Sequence, residues 1–156
     1  MSVPSFITPE ATLEHWQAHR RLTRKVIAAF PDDQLFTFSI GGMRTFGAMC
    51  NEFIAMTVPM TAGTVSNAWE RYTGGAATTK AEVLAAWDAD TVKLGELFPQ
   101  ISAEHFHDTV TAFGAYTGKL HDLFLYVIDN EIHHRAQGYV YLRALGIEPP
   151  QFFDRA

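Results

Sequence analysis

DNEIHHRAQGYVYLRALGIEPPQFFD, residues Asp129–Asp154, sets an Asn, a Glu, two His, an Arg and a Gln inside what reads as a long apolar helix. Gly146 stands where a helix closes on a glycine, and Pro149 and Pro150 forbid continuation. Upstream, the helical pattern reaches back to Lys119, which predicts a helix over Lys119–Leu145. Steps of three and four along it join Leu120, Leu123, Val127, Asn130, His134, Gln137, Tyr141 and Leu145 into one stripe. The stripe is apolar at both ends and polar in the middle, so Asn130, His134 and Gln137 point where the leucines point. Buried polar groups are costly unless paired, and this island therefore requires partners from elsewhere in the chain.

Three more helices emerge from the same periodicity. The first runs Pro9–Phe30, with Thr8 as N-cap, Pro9 at N1 and Leu13, Trp16, Ile27 and Phe30 on helical spacing. The second starts near Thr45 and carries Phe46, Met49, Phe53, Met56 and Met60, with Pro59 expected to kink or end it. The third spans Thr78–Phe98, opened by a capping box of Thr79 and Glu82, with Val83, Trp87, Leu94 and Leu97 as its buried stripe. Leu35–Met43 reads as an extended connection and Trp69–Thr79 as a loop. The pattern fails between Pro99 and Thr117, and Phe106–Leu120 holds either a short hairpin or an irregular loop. Four amphipathic helices in one domain, residues 1–156, predict an all-α antiparallel four-helix bundle, with connections long enough for a crossover.

The composition agrees. At 156 residues, 47% hydrophobic with twelve Phe, the chain is long enough for one domain with a substantial core, and disorder is excluded. The net charge of −5, and a basic run (His19–Lys25) spread at helical spacing, give no patch for a phosphate backbone, so no nucleic-acid partner is expected. Cys50 is the single cysteine, no leader pattern opens the sequence and no apolar run is long enough to span a bilayer. The expectation is a cytoplasmic protein with no membrane partner.

Glu52 is the natural partner for the polar island. It is the sole charged residue between Arg44 and Glu70 and shares a stripe with Met49 and Met56, beside Phe46 and Phe53. Glu52 with His134 reads either as a buried ion pair or as two ligands of a metal ion. His133, about 100° around the helix from His134, reads as exposed. Arg135 reads as a snorkelling surface group or as the i,i+4 partner of Glu131. Glu131 and His134 also form Glu-x-x-His, the di-iron spacing, but such sites use two copies and this chain has one.

The stretch HHRAQGYVYLRALGIEPPQFFD (His133–Asp154) closely resembles the C-terminal signature of the DinB-like (DinB/YfiT) four-helix proteins: His-x-x-x-His-Arg-Gly-Gln, then Tyr-Leu-Arg, a Gly and Pro-Pro. FPDDQLFTFSIGGMRTFGAMCNEFI (Phe30–Ile54) and TTKAEVLAAWDAD (Thr78–Asp90) extend the resemblance more weakly. It implies a divalent metal held by three His, one on the second helix and two spaced by four on the last. His134 matches the second of that pair, Asn130 stands in place of the first, Glu52 falls where the second-helix His is expected, and Ala136 replaces the usual Gly. The implied metal site is Glu52, Asn130 and His134, with Gln137 and His19 as lining residues. The implied cofactor is zinc, nickel, iron or manganese, and this oxygen-rich set shifts preference toward manganese or iron or weakens zinc.

Two functions from different classes follow from the resemblance. One is a metal-dependent transferase or hydrolase acting on a small molecule in the bundle cleft, with a low-molecular-weight thiol as cosubstrate. The other, motivated by the substitutions at Glu52 and Asn130, is a bundle without metal that serves as a binding module or assembles as a homodimer. Phe152 and Phe153 are aromatics consistent with such a contact.

Overall fold

A computed structural model describes residues 5–70 and 74–156; residues 1–4 and 71–73, with the parts of the N-terminal and loop expectations that fall on them, lie outside it. Among the described residues four helices form: α1 (Pro9–Ala29), α2 (Phe46–Ser66), α3 (Lys80–Leu97) and α4 (Leu120–Ala144). Each expected start is built as the local chemistry dictates. Thr8 and Thr45 accept from the third residue on, and Thr79 with Glu82 forms the full capping box. Gly146, at φ 76°, follows the end of α4. The break between α3 and α4 resolves into two short 3₁₀ turns and a hairpin, β1 (Thr109–Ala112) with β2 (Tyr116–Lys119), antiparallel with Thr111 opposite Thr117.

Two expectations change. Leu35–Met43 is a series of turns, not an extended strand. Pro59 does not end α2, which continues to Ser66. The turn beyond the proline buries Met60, Thr61 and Thr64, and Trp69 folds back so tightly on Gly63 that a Cβ there would lie 2.2 Å from the indole. That packing outweighs a lost backbone hydrogen bond and a local clash, together about 3 kcal/mol.

Of the helices consecutive in sequence, α2 and α3 pack on one another, whereas α1 and α2 stand on opposite corners of the bundle, as do α3 and α4. Both α1 and α2 pack on α3 and on α4. Along α1 and α3 the contacts run in opposite senses: Gln17 bonds Thr91, Arg20 bonds Trp87, and Lys80 reaches the carbonyls of Ala28 and Phe30. Along α2 and α4 they also run oppositely, from Arg44 with Tyr141 to Glu52 with Asn130. The two antiparallel pairs are therefore α1/α3 and α2/α4, and the long α1–α2 connection crosses the bundle as its length allows. One apolar cluster gathers Phe30, Phe46, Phe53, Trp87 and Tyr141; a second gathers Trp16, Phe98, Phe106, Phe124 and Ile128. Where α4 passes α2 the backbones meet at Gly138: a Cβ would fall 2.7 Å from the Phe46 ring, which is itself stacked on Phe30 at 4.9 Å.

Candidate functional site

The polar residues of α4 divide between two sides. Glu131 and Arg135 face α1 and are buried. Glu131 accepts from Thr23 at 2.5 Å and from the Trp16 indole at 3.4 Å. Arg135 donates to the carbonyl of His19 and to Thr23 Oγ1, and to His19 Nδ1 at 3.1 Å. The surface position read for Arg135 is thus corrected: the α1 side of α4 is a closed polar network, because the carbonyl and hydroxyl groups of α1 supply its partners. It also holds Arg20, fully buried, lying 3.9 Å over the Trp87 ring and donating to Thr91, Thr57 and Trp87.

His19 belongs to this network and is not among the residues lining the cleft described below. Burial, then the neighbouring charges of Arg135, Arg155 and His15, lower its pKa to about 3, so it is a neutral acceptor. Burial pushes the Glu131 carboxyl up, against the pull of Arg20, Thr23, Arg135 and Trp16. Since Glu131 is committed to α1 and His134 to α2, the Glu-x-x-His pair does not converge on one point.

Asn130, His134 and Gln137 face α2. Asn130 Nδ2 donates to Glu52 Oε1 at 2.8 Å, and His134 Nε2 lies 3.4 Å from the same oxygen. The three residues expected as ligands are therefore brought together. Gln137 touches His134 rather than lining the cleft: its Oε1 is 2.6 Å from His134 Nδ1. An amide oxygen can only accept, so Nδ1 carries the proton and, in the neutral ring, Nε2 presents its lone pair to Glu52. His133 is exposed, as its position on the helix requires.

Arg44, which the sequence reading passed over, completes the cluster. Gly41 and Gly42, at φ 61° and 77°, turn the chain just before it, a backbone that residues with a Cβ rarely adopt. The Tyr141 hydroxyl donates to its carbonyl at 2.8 Å. Its guanidinium donates through Nη1 to Glu52 Oε2, and Nη2 is 3.3 Å from His134 Nε2. The available signal was its position, eight residues before Glu52 and thus about two helical turns away. Burial pushes the Glu52 carboxyl up, but hydrogen bonds from Arg44 and Asn130 and the charge of Arg44 outweigh it and hold the pKa below the usual carboxylate range.

Glu52 and Asn130 stand at the head of a cleft of about 870 Å³ between α2, the hairpin and α4. Met56, Met60, Phe113, Leu123, Tyr126 and Val127 form much of its wall, and Asp122 adds a second carboxylate; no basic side chain lines it among the described residues. An apolar body with a polar end is the form of a small-molecule site.

The donors can be compared with what a cation requires. Tetrahedral ligands about 2.1 Å from zinc stand about 3.4 Å from one another, and Glu52 Oε1 and His134 Nε2 are 3.4 Å apart. Asn130 Oδ1 is buried without a hydrogen-bond partner. An Asn amide can present either of its atoms, so a half-turn would carry this orphaned oxygen to the position now held by Nδ2. A protonated Nδ1 tied to Gln137 is the tautomer a metal-binding imidazole needs. In donor type and spacing Glu52 and His134 fit a divalent cation, and Asn130 would join them only with its amide turned; Arg44, a cation already lying against two of the three, is the feature that competes.

The described residues contain no helix long and apolar enough to cross a membrane. The family model of the DinB family matches residues 1–155. In fold the chain is similar to the crystal structure of a DinB-like protein from Bacillus cereus, with a TM-score of 0.76 at 17% identity, covering 94% of this chain and 99% of that one. It is also similar to a DinB-like protein from Bacillus subtilis, with a TM-score of 0.69 at 16% identity, covering 90% and 95%. No curated protein matches the chain.

Proposed function

The chain belongs to the DinB family, and from that premise we propose that it is a metal-dependent enzyme acting on a small molecule with an apolar body. That body lies in the cleft, and its reacting end meets Glu52, Asn130 and His134. The observation that carries this reading is the convergence of His134 Nε2, at 3.4 Å, on Oε1 of Glu52, which with Asn130 lines the head of the cleft. Glu52 and His134 would hold a divalent ion such as zinc, nickel, iron or manganese, with Asn130 Oδ1 as third ligand. Such an ion, with positions left open, lowers the pKa of a bound thiol or water and so supplies a nucleophile at neutral pH.

The chain's own residues do the rest. Gln137 keeps the proton on His134 Nδ1, so that Nε2 is a ligand. Met56, Met60, Phe113 and Val127 exclude water around the substrate body. Cys50 is buried, and burial, with the charge of Glu131, pushes its thiol pKa well up. It is no nucleophile, and any thiol used comes from a low-molecular-weight cosubstrate. Glu52 and Asp122, with no basic group in the lining, disfavour an anionic body in the cleft.

Calorimetric titration with zinc and with manganese tests the reading. One ion per chain is expected, lost in Glu52→Ala and in His134→Ala while the fold is kept; no binding of either ion to the wild-type chain would sink it. One observation favours a second reading: the Arg44 guanidinium already neutralises Glu52. On that reading the bundle binds an apolar ligand without metal, or assembles as a homodimer. A chain that takes up an apolar fluorescent probe under chelator but no metal, or elutes as a dimer in light scattering, would support it.

A further inference from the structure

We infer that Arg44 is an internal latch on the cation site: its guanidinium and a divalent ion compete for Glu52 and His134, and the exchange sets the affinity of the site. The inference rests on the metal reading above and adds to it the device that regulates it. Three observations carry it.

First, Arg44 engages both charge-bearing donors. Nη1 donates to Glu52 Oε2, and Nη2 lies 3.3 Å from His134 Nε2. A planar fork with a fixed positive charge is suited to spanning a carboxylate and an imidazole lone pair. While it does so, the anionic charge that would attract an ion is neutralised, and the Nε2 lone pair is directed at an N–H.

Second, the backbone of Arg44 is fixed and its side chain is not. Tyr141, itself fully buried, donates to the Arg44 carbonyl at 2.8 Å. Met43, one residue earlier, turns back onto Ile40 and accepts through Sδ from Gln137. The Arg44 side chain is 48% exposed, while those of Glu52 and His134 are 23% and 16% exposed. The guanidinium can therefore swing to solvent about its own torsions with the α2–α4 packing unchanged, and a long basic side chain is well solvated there.

Third, two of the donors left behind are already placed for an ion, and the third is a half-turn of an amide away. Glu52 Oε1 faces His134 Nε2 at 3.4 Å, Gln137 holds the ring tautomer from the far side, and Asn130 Oδ1 is buried with no partner. Withdrawal of one side chain, with a half-turn of the Asn130 amide, brings a carboxylate oxygen, an imidazole nitrogen and an amide oxygen around a single point. A doubly charged ion beside the guanidinium would be repelled at such distances, so the two occupancies exclude each other.

The test is calorimetric titration of zinc into the wild type, Arg44→Ala, Arg44→Gln and Arg44→Lys, with bound zinc counted by elemental analysis after dialysis. Ala and Gln remove the charge, and Gln retains much of the chain length should Ala disturb the turn. Both are expected to bind zinc at least tenfold more tightly than the wild type, and Lys, which keeps the charge, to remain within a few fold of it. Zinc bound equally by the wild type, Ala and Gln, yet lost in Glu52→Ala, would overturn the latch and leave the metal reading standing. Zinc bound by none of them would sink both.

Discussion

Asn130 and Glu131 are adjacent in sequence and take part in opposite kinds of polar chemistry. Glu131 faces α1, is 2% exposed, and sits among Thr23, Trp16, Arg135 and Arg20 in a network closed to solvent. Asn130 faces α2 and the cleft, holds Glu52 with one amide atom and leaves the other without a partner. About 100° of helix separates them. The α1 network binds the fold together, since Glu131, Thr23 and Arg135 find their partners within it. The α2 cluster is poised for something else: its charges reach the head of a cleft, its arginine is half in solvent, and one buried acceptor is unpaired. Burial with satisfied partners marks structure, and partial burial with a spare acceptor marks a site.

Glu131→Ala breaks that comparison most severely. It leaves Arg135 as a buried cation without its carboxylate, takes from Arg20 the largest of its three counter-charges, and strips Thr23 and Trp16 of an acceptor. Removing one member of a buried charge set costs about 3–5 kcal/mol. Urea denaturation is expected to show a loss of that size, and a loss below about 1 kcal/mol would mean that the network is not the fold's anchor.

Gly138→Ala probes the seam where both sides depend on the distance between α2 and α4. Its Cβ would fall 2.7 Å from a Phe46 ring that has nowhere to go, pressed as it is on Phe30. Overpacking of this kind costs about 1–3 kcal/mol. The same shift separates Asn130 and His134 from Glu52, so zinc binding in titration is expected to weaken along with stability. Lost stability with unchanged zinc affinity would show that the cleft does not depend on this contact.

The α1 network also predicts a pH dependence. The pKa of His19 is about 3 in the fold, below its ordinary 6.5, so in between the unfolded chain binds the proton and the native chain does not. Its contribution is whole above pH 6.5 and is lost as pH falls toward 3. Asp90, which burial raises from 3.8 to about 6 against the charge of Arg20, acts in the opposite sense: its contribution is lost as pH rises through 6. In the window they share the two offset. His19→Gln removes one of them, so between about pH 4 and about pH 6 the offset is lost and stability should fall by up to about 1.4 kcal/mol per pH unit as pH rises. Denaturation midpoints measured from about pH 4 to about pH 7 give the slope; an unchanged slope in the variant would show that His19 titrates freely.

Why some of this was legible in the sequence and some was not follows from the range of the forces involved. Caps, turns and apolar periodicity are local, so Thr8, Thr45, the Thr79–Glu82 box and the end of α4 were read correctly, as was the turning of Asn130, His134 and Gln137 to one side. Glu52 was legible because a lone carboxylate in an apolar helix has few explanations. Of the two outcomes expected at Pro59, a kink or an end, the end did not occur because the tertiary packing of Met60 and Trp69 overrode a backbone preference. Arg135 and His19 misled for the opposite reason, and Arg20 was passed over. A long basic side chain on a helix ordinarily reaches solvent, and nothing local reveals that the opposing helix will supply carbonyls and hydroxyls to receive it. Arg44 lay in a turn whose course depends on two left-handed glycines and on Tyr141, nearly a hundred residues away.

The smallest expected effect on stability belongs to the residues with the largest expected effect on function. Glu52→Gln keeps the shape of the side chain and the bond to Asn130 while removing the charge that Arg44 and an ion would share. The pair it breaks is partly solvated: Arg44 is 48% and Glu52 23% exposed. Pairs of this kind contribute about 0–1 kcal/mol, so the denaturation midpoint should barely move, in contrast to Glu131→Ala on the α1 side of α4. Zinc binding should nevertheless fall at least tenfold, because an amide oxygen replaces the one anionic ligand. A large loss of stability in Glu52→Gln would place the α2 cluster in the same class as the α1 network, a structural ion pair, and would remove the ground for assigning the cleft a function.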